Sequence, residues 1–248
     1  LPHAAAAAPA PMPSRAEQLS TLAAIPPFNL TCQRCVLGKQ QLGRLEMQVR
    51  PTATGLKVDN LLLQQGNNKV SGQGAWQLTA GASQSQLQLN GQIASLETWL
   101  QALDYPLGFS GTPASFDSQL TWQGPLFRFD KPSLAGKLRF ESGEGMLRNM
   151  GSTGTRLLSV FSLHAVMRRL SLDFSDLLEK GLFFRRIRFH SQIDNGVIHS
   201  DDFLLEADAG DIKAKGTLDL NSQKIDYRIS FRPQFANELS LATAVAVT

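Results

Sequence analysis

The side chains able to do chemistry are few, and their spacing argues against most of it. Four histidines stand at His3, His164, His190 and His199. None belongs to an H-x-x-x-H pair, so no helix face offers two imidazoles to one ion, and no local metal site is expected. His199-Ser200-Asp201 carries the letters of a hydrolytic triad. Neighbours along a strand point to opposite faces, however, so three consecutive residues do not converge on one substrate, and no catalytic residue is assigned. Gly72-Gln73-Gly74 and Gly143-Glu144-Gly145 lack the strand-to-helix setting of a nucleotide loop, and Gly151-Ser152-Thr153-Gly154 has no lysine behind it. No cofactor is expected.

Cys32 and Cys35 are the only cysteines. Two thiolates make half of a structural zinc site, and no helix begins here as a thioredoxin-like redox site needs. In a regular strand, residues three apart are separated by about 10 Å, whereas a disulfide brings its Cα atoms to roughly 4.4–6.8 Å. A bridge therefore requires a turn at Gln33-Arg34; two buried thiols are the other reading.

The elements that must carry these residues are mostly strands. Leu45, Met47 and Val49 alternate with charged or amide residues, as do Leu87 and Leu89, Leu138 and Phe140, and Ile187, Phe189 and Ile193. The cleanest case is Ile225, Tyr227, Ile229 and Phe231 against Asp226, Arg228, Ser230 and Arg232. Period-two alternation means one dry face and one wet face. Turn signals at Thr54-Gly55, Gly66-Asn67-Asn68, Ala80-Gly81, Asn195-Gly196, Ala209-Gly210 and Asn221-Ser222 divide these runs as an antiparallel meander requires.

Two stretches repeat. The segment from Gly43 can be laid on the segment from Arg185 so that Gly55 meets Gly196, Asp59 meets Asp201, Leu63 meets Leu205 and, with one residue inserted, Gly74 meets Gly216. Each copy is a three- or four-stranded unit that must stack on a neighbour to bury its apolar face. Short helices are expected at Arg15–Ile25 and at Ser95–Leu103, where Trp99 reads as a core anchor.

Residues 151–184 are different. Leu157, Phe161 and Ala165 recur at helical spacing, and Leu158, Val160, Leu163, Val166, Met167 and Leu170 fill most of the remaining circumference. At well under about 18 uninterrupted apolar residues the helix is too short to cross a bilayer, so it caps something or leans on something greasy.

The chain of 248 residues, 42% hydrophobic and 18% charged, can bury a sizeable core. Its net charge of +3 comes from 24 basic residues scattered among 21 acidic ones, which does not make a nucleic-acid footprint. The division expected is an Ala/Pro linker and short helix over 1–28, strands over 29–150 with a helix at 95–103, a helical cap over 151–181, and strands with an apolar tail over 182–248. The Ala/Pro tract from Leu1 lacks the basic flank of a signal peptide and reads as an internal linker, and the apolar run from Leu239 to Val247 reads as continuing into further chain. A long sheet with one dry face must fold on itself, pack a second sheet, or accept apolar ligands, and periodicity alone does not choose.

The run RLLSVFSLHAVMRRLSLDFSDLLEKGLFF, then IDNGVIHSDDFLLEADAGDIKAKGTLDL, and before them WLQALDYPLGFSGTPASFDSQLTWQGPL, resemble the C-terminal region of a long member of the AsmA-like family of Gram-negative envelope proteins. The likeness is strongest from Leu96 to Pro233 and weaker from Asn29 to Ile93. It departs at Leu163 to Arg169, where Val166-Met167 stands in place of the more usual Leu-Pro.

That resemblance implies a mainly β protein with short helices: a long curved antiparallel sheet, a β-groove of stacked meanders, with a helical element near its C-terminal end. It implies a non-enzymatic phospholipid conduit in the periplasm, part of an inner-membrane-anchored protein, with the outer membrane and an outer-membrane protein as partners at the C-terminal end. Acyl chains would slide along Leu45, Met47, Val49, Leu87, Leu89, Phe140, Ile187, Phe189, Ile193, Ile225, Tyr227, Ile229 and Phe231. Phe161, Arg156, Arg168 and Arg169 would meet headgroups or membrane, with ion pairing to Asp173 and Asp176 the alternative for the arginines. An oxidising envelope compartment favours the Cys32–Cys35 disulfide. The rival function is a non-catalytic scaffold for outer-membrane biogenesis.

Overall fold

The computed structural model describes residues 14–79, 81–105, 108–147, 181–234 and 243–247. The helical cap expected over 151–181, with Arg156, Phe161, His164, Arg168 and Arg169, lies outside the described residues apart from Gly181.

In chain order the elements are α1 (Arg15–Ala24), β1 (Phe28–Leu37), β2 (Gln40–Thr52), β3 (Gly55–Gln65), β4 (Asn68–Leu78), β5 (Ser83–Ile93), α2 (Leu96–Ala102), β6 (Phe109–Ser110), β7 (Ala114–Gln123), β8 (Ala135–Ser142), β9 (Gly145–Leu147), β10 (Leu182–Asp194), β11 (Val197–Ala207), β12 (Gly210–Asp219), β13 (Lys224–Pro233) and β14 (Thr243–Val247). All fourteen strands among the described residues belong to one antiparallel sheet whose main path runs β1-β2-β3-β4-β5-β7-β8-β10-β11-β12-β13-β14. The short β6 and β9 sit off that path, β9 pairing with β10 and with β6. β1 and β14 are not paired with each other, so the sheet is open and is not closed into a barrel.

Two irregularities recur at matching places. Between β3 and β4 the pairing steps from Val58–Gly74 to Leu61–Gly72, and between β11 and β12 it steps from Ser200–Gly216 to Phe203–Ala214. Each is a bulge: Asp59-Asn60 and Asp201-Asp202 contribute one residue more than the partner strand. The repeat thus extends over β2–β5 and β10–β13. It corrects the sequence alignment by one position at the start, because Gly55, paired with Thr52 and Gln77, corresponds to Val197, paired with Asp194 and Asp219. The turn residues themselves correspond, Ala53-Thr54 with Asn195-Gly196.

Cys32 and Cys35 are joined, with Cα atoms 5.6 Å apart. The expected turn at Gln33-Arg34 is absent: β1 runs through both residues, and the pairing with β2 slips between Cys32–Leu45 and Cys35–Gly43. A bulge shortens the strand enough to bring the sulfur atoms together without reversing the chain.

α1 starts at a capping box in which Glu17 N–H donates to Ser14 Oγ at 3.3 Å and Ser14 N–H donates to Glu17 Oε2 at 2.6 Å. α2 is positioned from the sheet. Asn68, buried at the start of β4, accepts from Ser95 N–H at 3.0 Å and donates to Thr98 Oγ1 at 3.2 Å, which ties the first turn of the helix to the strand below it.

Candidate functional site

Directly opposed residues in an antiparallel sheet point to the same face, so the pairing decides which side chains share a surface. One row runs Val49, Val58, Gly74, Leu87, Leu120, Gly136, Ile193, Ile198, Leu218, Ile225 across ten strands. Another runs Leu45, Leu63, Val70, Gly91, Phe116, Phe140, Phe189 on to Phe203, Ala214 and Ile229. A third, between them, reads Leu61, Gly72, Leu89, Ser118, Leu138, Ser191 and continues through Ser200, Gly216 and Tyr227. All thirteen residues expected to line a groove lie on this one face. Val49, Ile187, Ile193, Tyr227, Ile229 and Phe231 are buried; the other seven are half-buried.

The sheet therefore has a hydrocarbon face crossed by rows that run perpendicular to the strands. At about 4.8 Å per strand the twelve-strand path is roughly 50 Å wide. Phe140 stacks on Phe189 with ring centroids 5.1 Å apart, and Phe189 stacks on Phe203 at 6.1 Å. Phe116, opposite Phe140, lies over Gly91, where a Cβ would run into its ring. Three serines on this face turn their hydroxyls into the backbone. Ser85 Oγ donates to the Gly124 carbonyl at 2.8 Å, Ser142 Oγ to the Gly143 carbonyl at 3.1 Å, and Ser200 Oγ to the His190 carbonyl at 3.0 Å. A polar group satisfied in this way adds little polarity to the surface above it.

The opposite face carries the charges. Arg44 pairs with Glu46, Arg50 with Asp59, Arg186 with Glu206 at 3.2 Å, and His190 Nδ1 with Asp202 Oδ2 at 2.5 Å. Lys57 with Asp59, Arg185 with Asp208 and Arg186 with Glu141 also pair on this wet face or its rim. The Arg50 guanidinium lowers the Asp59 carboxyl below its usual range. Burial of the Tyr227 phenol on the other face raises its pKa, as expected of a hydroxyl in apolar surroundings.

The His199-Ser200-Asp201 run does not converge on one point. His199 and Asp201 are exposed while Ser200 is buried on the dry face, so the three letters separate as alternation requires. The Ser200 hydroxyl meets the His190 carbonyl, and the His190 ring meets Asp202 instead.

Three elements fold over the dry face. Leu22 of α1 joins Val49, Leu56, Val58 and Trp76; α2 places Leu96 and Trp99 on Val70, Ile93 and Ala114; and the loop after β7 sets Leu126 against the Trp76 and Trp122 groups. Trp99 was legible as an anchor. Leu22, Trp76, Trp122 and Leu126 were not, and Phe116, Phe203, Leu61 and Leu63 were also missed as part of the face. The available signal was an apolar Pro125-Leu126-Phe127 inside a loop, and in β11 the pair Asp201-Asp202 interrupting an otherwise alternating run.

A family model described as YhdP protein matches residues 2–248. The chain is 27% identical over 226 residues to a protein of Escherichia coli (strain K12) named "Intermembrane phospholipid transporter YhdP", a match covering 90% of this chain and 18% of that protein. The chain thus spans less than a fifth of the length of the curated relative it matches. No solved structure matches it. With a single open β-sheet, one hydrocarbon face and a family match running nearly from end to end, the chain belongs to the YhdP protein family, within the AsmA-like group.

Proposed function

We propose that this chain is a segment of a phospholipid conduit, and that its dry face shields acyl chains in transit between the inner and outer membranes. The observation that carries the reading is the continuity of the apolar rows across successive strands of an open sheet, which gives a path running perpendicular to the strands. Each buried CH₂ contributes about 0.8 kcal/mol, so a hydrocarbon chain is held all along the path. A lining of similar residues from strand to strand offers no deep stopping point, and this suits sliding better than storage. Headgroups stay in water at the open side, and no covalent step is needed. The relative's name, an intermembrane phospholipid transporter, supports phospholipid as the cargo.

In this reading the protein works in the periplasm, with Leu45, Met47, Val49, Leu87, Leu89, Phe140, Ile187, Phe189, Ile193, Ile225, Tyr227, Ile229 and Phe231 in contact with tails. Arg156, Arg168, Arg169 and Phe161 meet headgroups or a membrane surface near the C-terminal end, where an outer-membrane partner would dock. The test is native mass spectrometry and lipid extraction of the protein purified from membranes. Phospholipid in at least molar proportion is expected; protein free of phospholipid, and unable to take it up from vesicles, would overturn the reading.

A further inference from the structure

The two copies of the four-stranded unit share a register but not a surface charge. On the wet face Glu46, Leu62 and Ser71 stand opposite one another across β2, β3 and β4, and Arg188, Leu204 and Lys213 do so across β10, β11 and β12. In the next row Gln73 faces Gln88 in the first copy, and Lys215 faces Arg228 in the second. Four equivalent places that carry one negative charge in the first copy, on Glu46, Ser71, Gln73 and Gln88, therefore carry four positive charges in the second. The leucine between them is kept.

This exchange works against the fold. Gln73 Nε2 donates to Gln88 Oε1 at 2.8 Å, so the first copy closes its pair with a neutral hydrogen bond. Lys215 and Arg228 are both cations, and like charges directly opposite on a sheet repel. Arg188, Lys213, Lys215 and Arg228 are all exposed, and among the described residues none of the four forms an ion pair. The carboxylates around them have other places. Asp202 is taken by His190 and Glu206 by Arg186, while Asp211 stands opposite Arg232 and Asp226 opposite Thr217. Asp201 lies in the bulge that faces Lys215 and leaves the other three cations without a counter-charge.

Where a sequence departs from what its own fold prefers, and a sister unit in the same register keeps the preferred pair, the departure points to a ligand. Here the ligand must bring negative charge. The lipid path runs across the strands from one membrane toward the other, so the wet face lies alongside that path and looks across the periplasm instead of at a bilayer. A soluble acidic surface is what can meet it there. Lys213 and Lys215, two apart on β12, are separated by about 6.8 Å, which is the spacing of alternate side chains in an extended chain.

We propose that Arg188, Lys213, Lys215 and Arg228 form a docking site for an acidic segment of a partner protein, whose carboxylates neutralise the Lys215–Arg228 pair. The inference rests on the dry face being the lipid path, because that sets which way the wet face looks. Charge-assisted hydrogen bonds to carboxylates supply the attraction.

The test uses the intact protein and a fluorescent peptide of alternating Glu and Ser residues, followed by anisotropy. Lys215→Gln/Arg228→Gln, which installs the first copy's own pair, should weaken peptide binding at least tenfold and raise the urea midpoint of the free protein. Lys69→Gln/Lys137→Gln removes the same charge elsewhere on the wet face and should leave binding within about twofold. Equal weakening by the two double variants means that binding follows net charge, and overturns the site. A lowered urea midpoint in Lys215→Gln/Arg228→Gln means that the two cations serve the fold, and overturns it as well. Vesicles of phosphatidylglycerol that bind through Lys215 and Arg228 while the peptide does not would overturn the protein partner in favour of a membrane. p-Benzoylphenylalanine at Ile229 reports lipid in the same preparation: no captured lipid overturns the conduit, and with it the choice of partner, whereas captured lipid without peptide binding overturns the docking site alone.

Discussion

Asn60 and Asp202 occupy the same place in two copies of one four-stranded unit, and each fastens its bulge to the preceding strand. Asn60 Nδ2 donates to Gln48 Oε1 at 3.0 Å, and Asp202 Oδ2 meets His190 Nδ1 at 2.5 Å while its Oδ1 accepts from His190 N–H at 2.8 Å. Gln48 and His190 are themselves equivalent in β2 and β10. A neutral amide pair in one copy is an ionisable pair in the other, and Asn60 alone of the two has a left-handed backbone, with φ 53°.

The bulges keep the dry face dry. Val58 and Leu61, like Ser200 and Phe203, are three apart yet share a face, because the extra residue restores the alternation. Deleting Asn60 or Asp202 should convert each bulge to regular pairing, with the flanking residues two apart and still on the dry face, so the protein should fold with a loss below about 3 kcal/mol in urea denaturation. Asp202→Asn keeps an acceptor for His190 N–H and should cost less than about 1 kcal/mol, as read from urea denaturation.

Gly91 makes room for the Phe116 ring in the row where four phenylalanines follow one another. Gly91→Ala should destabilise by about 1–3 kcal/mol through overpacking. In a Phe116→Ala background the same change should cost much less, and a double-mutant cycle in denaturant measures the coupling.

Trp76 has no exposed surface and donates Nε1–H to Ser83 Oγ at 3.0 Å. It roots the cover made by the loop after β7, so Trp76→Ala should cost about 3–5 kcal/mol. Phe127, 65% exposed on the outside of the same loop, should be replaceable by Ser at less than about 1 kcal/mol. Equal losses at the two positions would contradict the placement of the loop.

Four carboxyls among the described residues lie below their ordinary range, Glu17 through hydrogen bonds with the Ser14 side chain and N–H at the start of α1. Asp59 is lowered by the Arg50 guanidinium and Asp219 by the Ser222 hydroxyl with the Asn221 and Ser222 N–H groups. At Asp202 burial pushes upward, but the His190 ring and N–H, with the Arg188 charge, outweigh it. A depressed folded-state value gives stability that is fully present above the unfolded value, about 3.9, and is lost as pH falls through the folded one. Stability should therefore change little on account of these groups between pH 5 and 7, roughly, and decline below about pH 4. Asp59→Asn with Asp219→Asn should flatten the decline in an acid titration followed by circular dichroism.

Much of the sheet was legible because strand periodicity and turn chemistry are local. Ile225 to Phe231 alternates without interruption, and Asn195-Gly196 and Asn221-Ser222 fall at the turns they signal. The bulges were not read, because two polar residues in succession look like the end of a strand until pairing shows that Leu61 and Phe203 return to the same face. Nor could periodicity tell which loops fold back. Leu126 and Leu22 are ordinary apolar residues in sequence, and only the tertiary packing of Trp76 and Trp122 reveals them as covers.

The central claim, that the dry face and not the wet one carries hydrocarbon tails, is tested most directly by a photo-crosslinking scan of adjacent positions in the intact protein. p-Benzoylphenylalanine at Leu89, Phe189 and Ile229 should capture phospholipid, and at their neighbours Gln88, His190 and Ser230 it should capture little or none. Capture that ignores this alternation, or that favours Gln88, His190 and Ser230, would contradict the account.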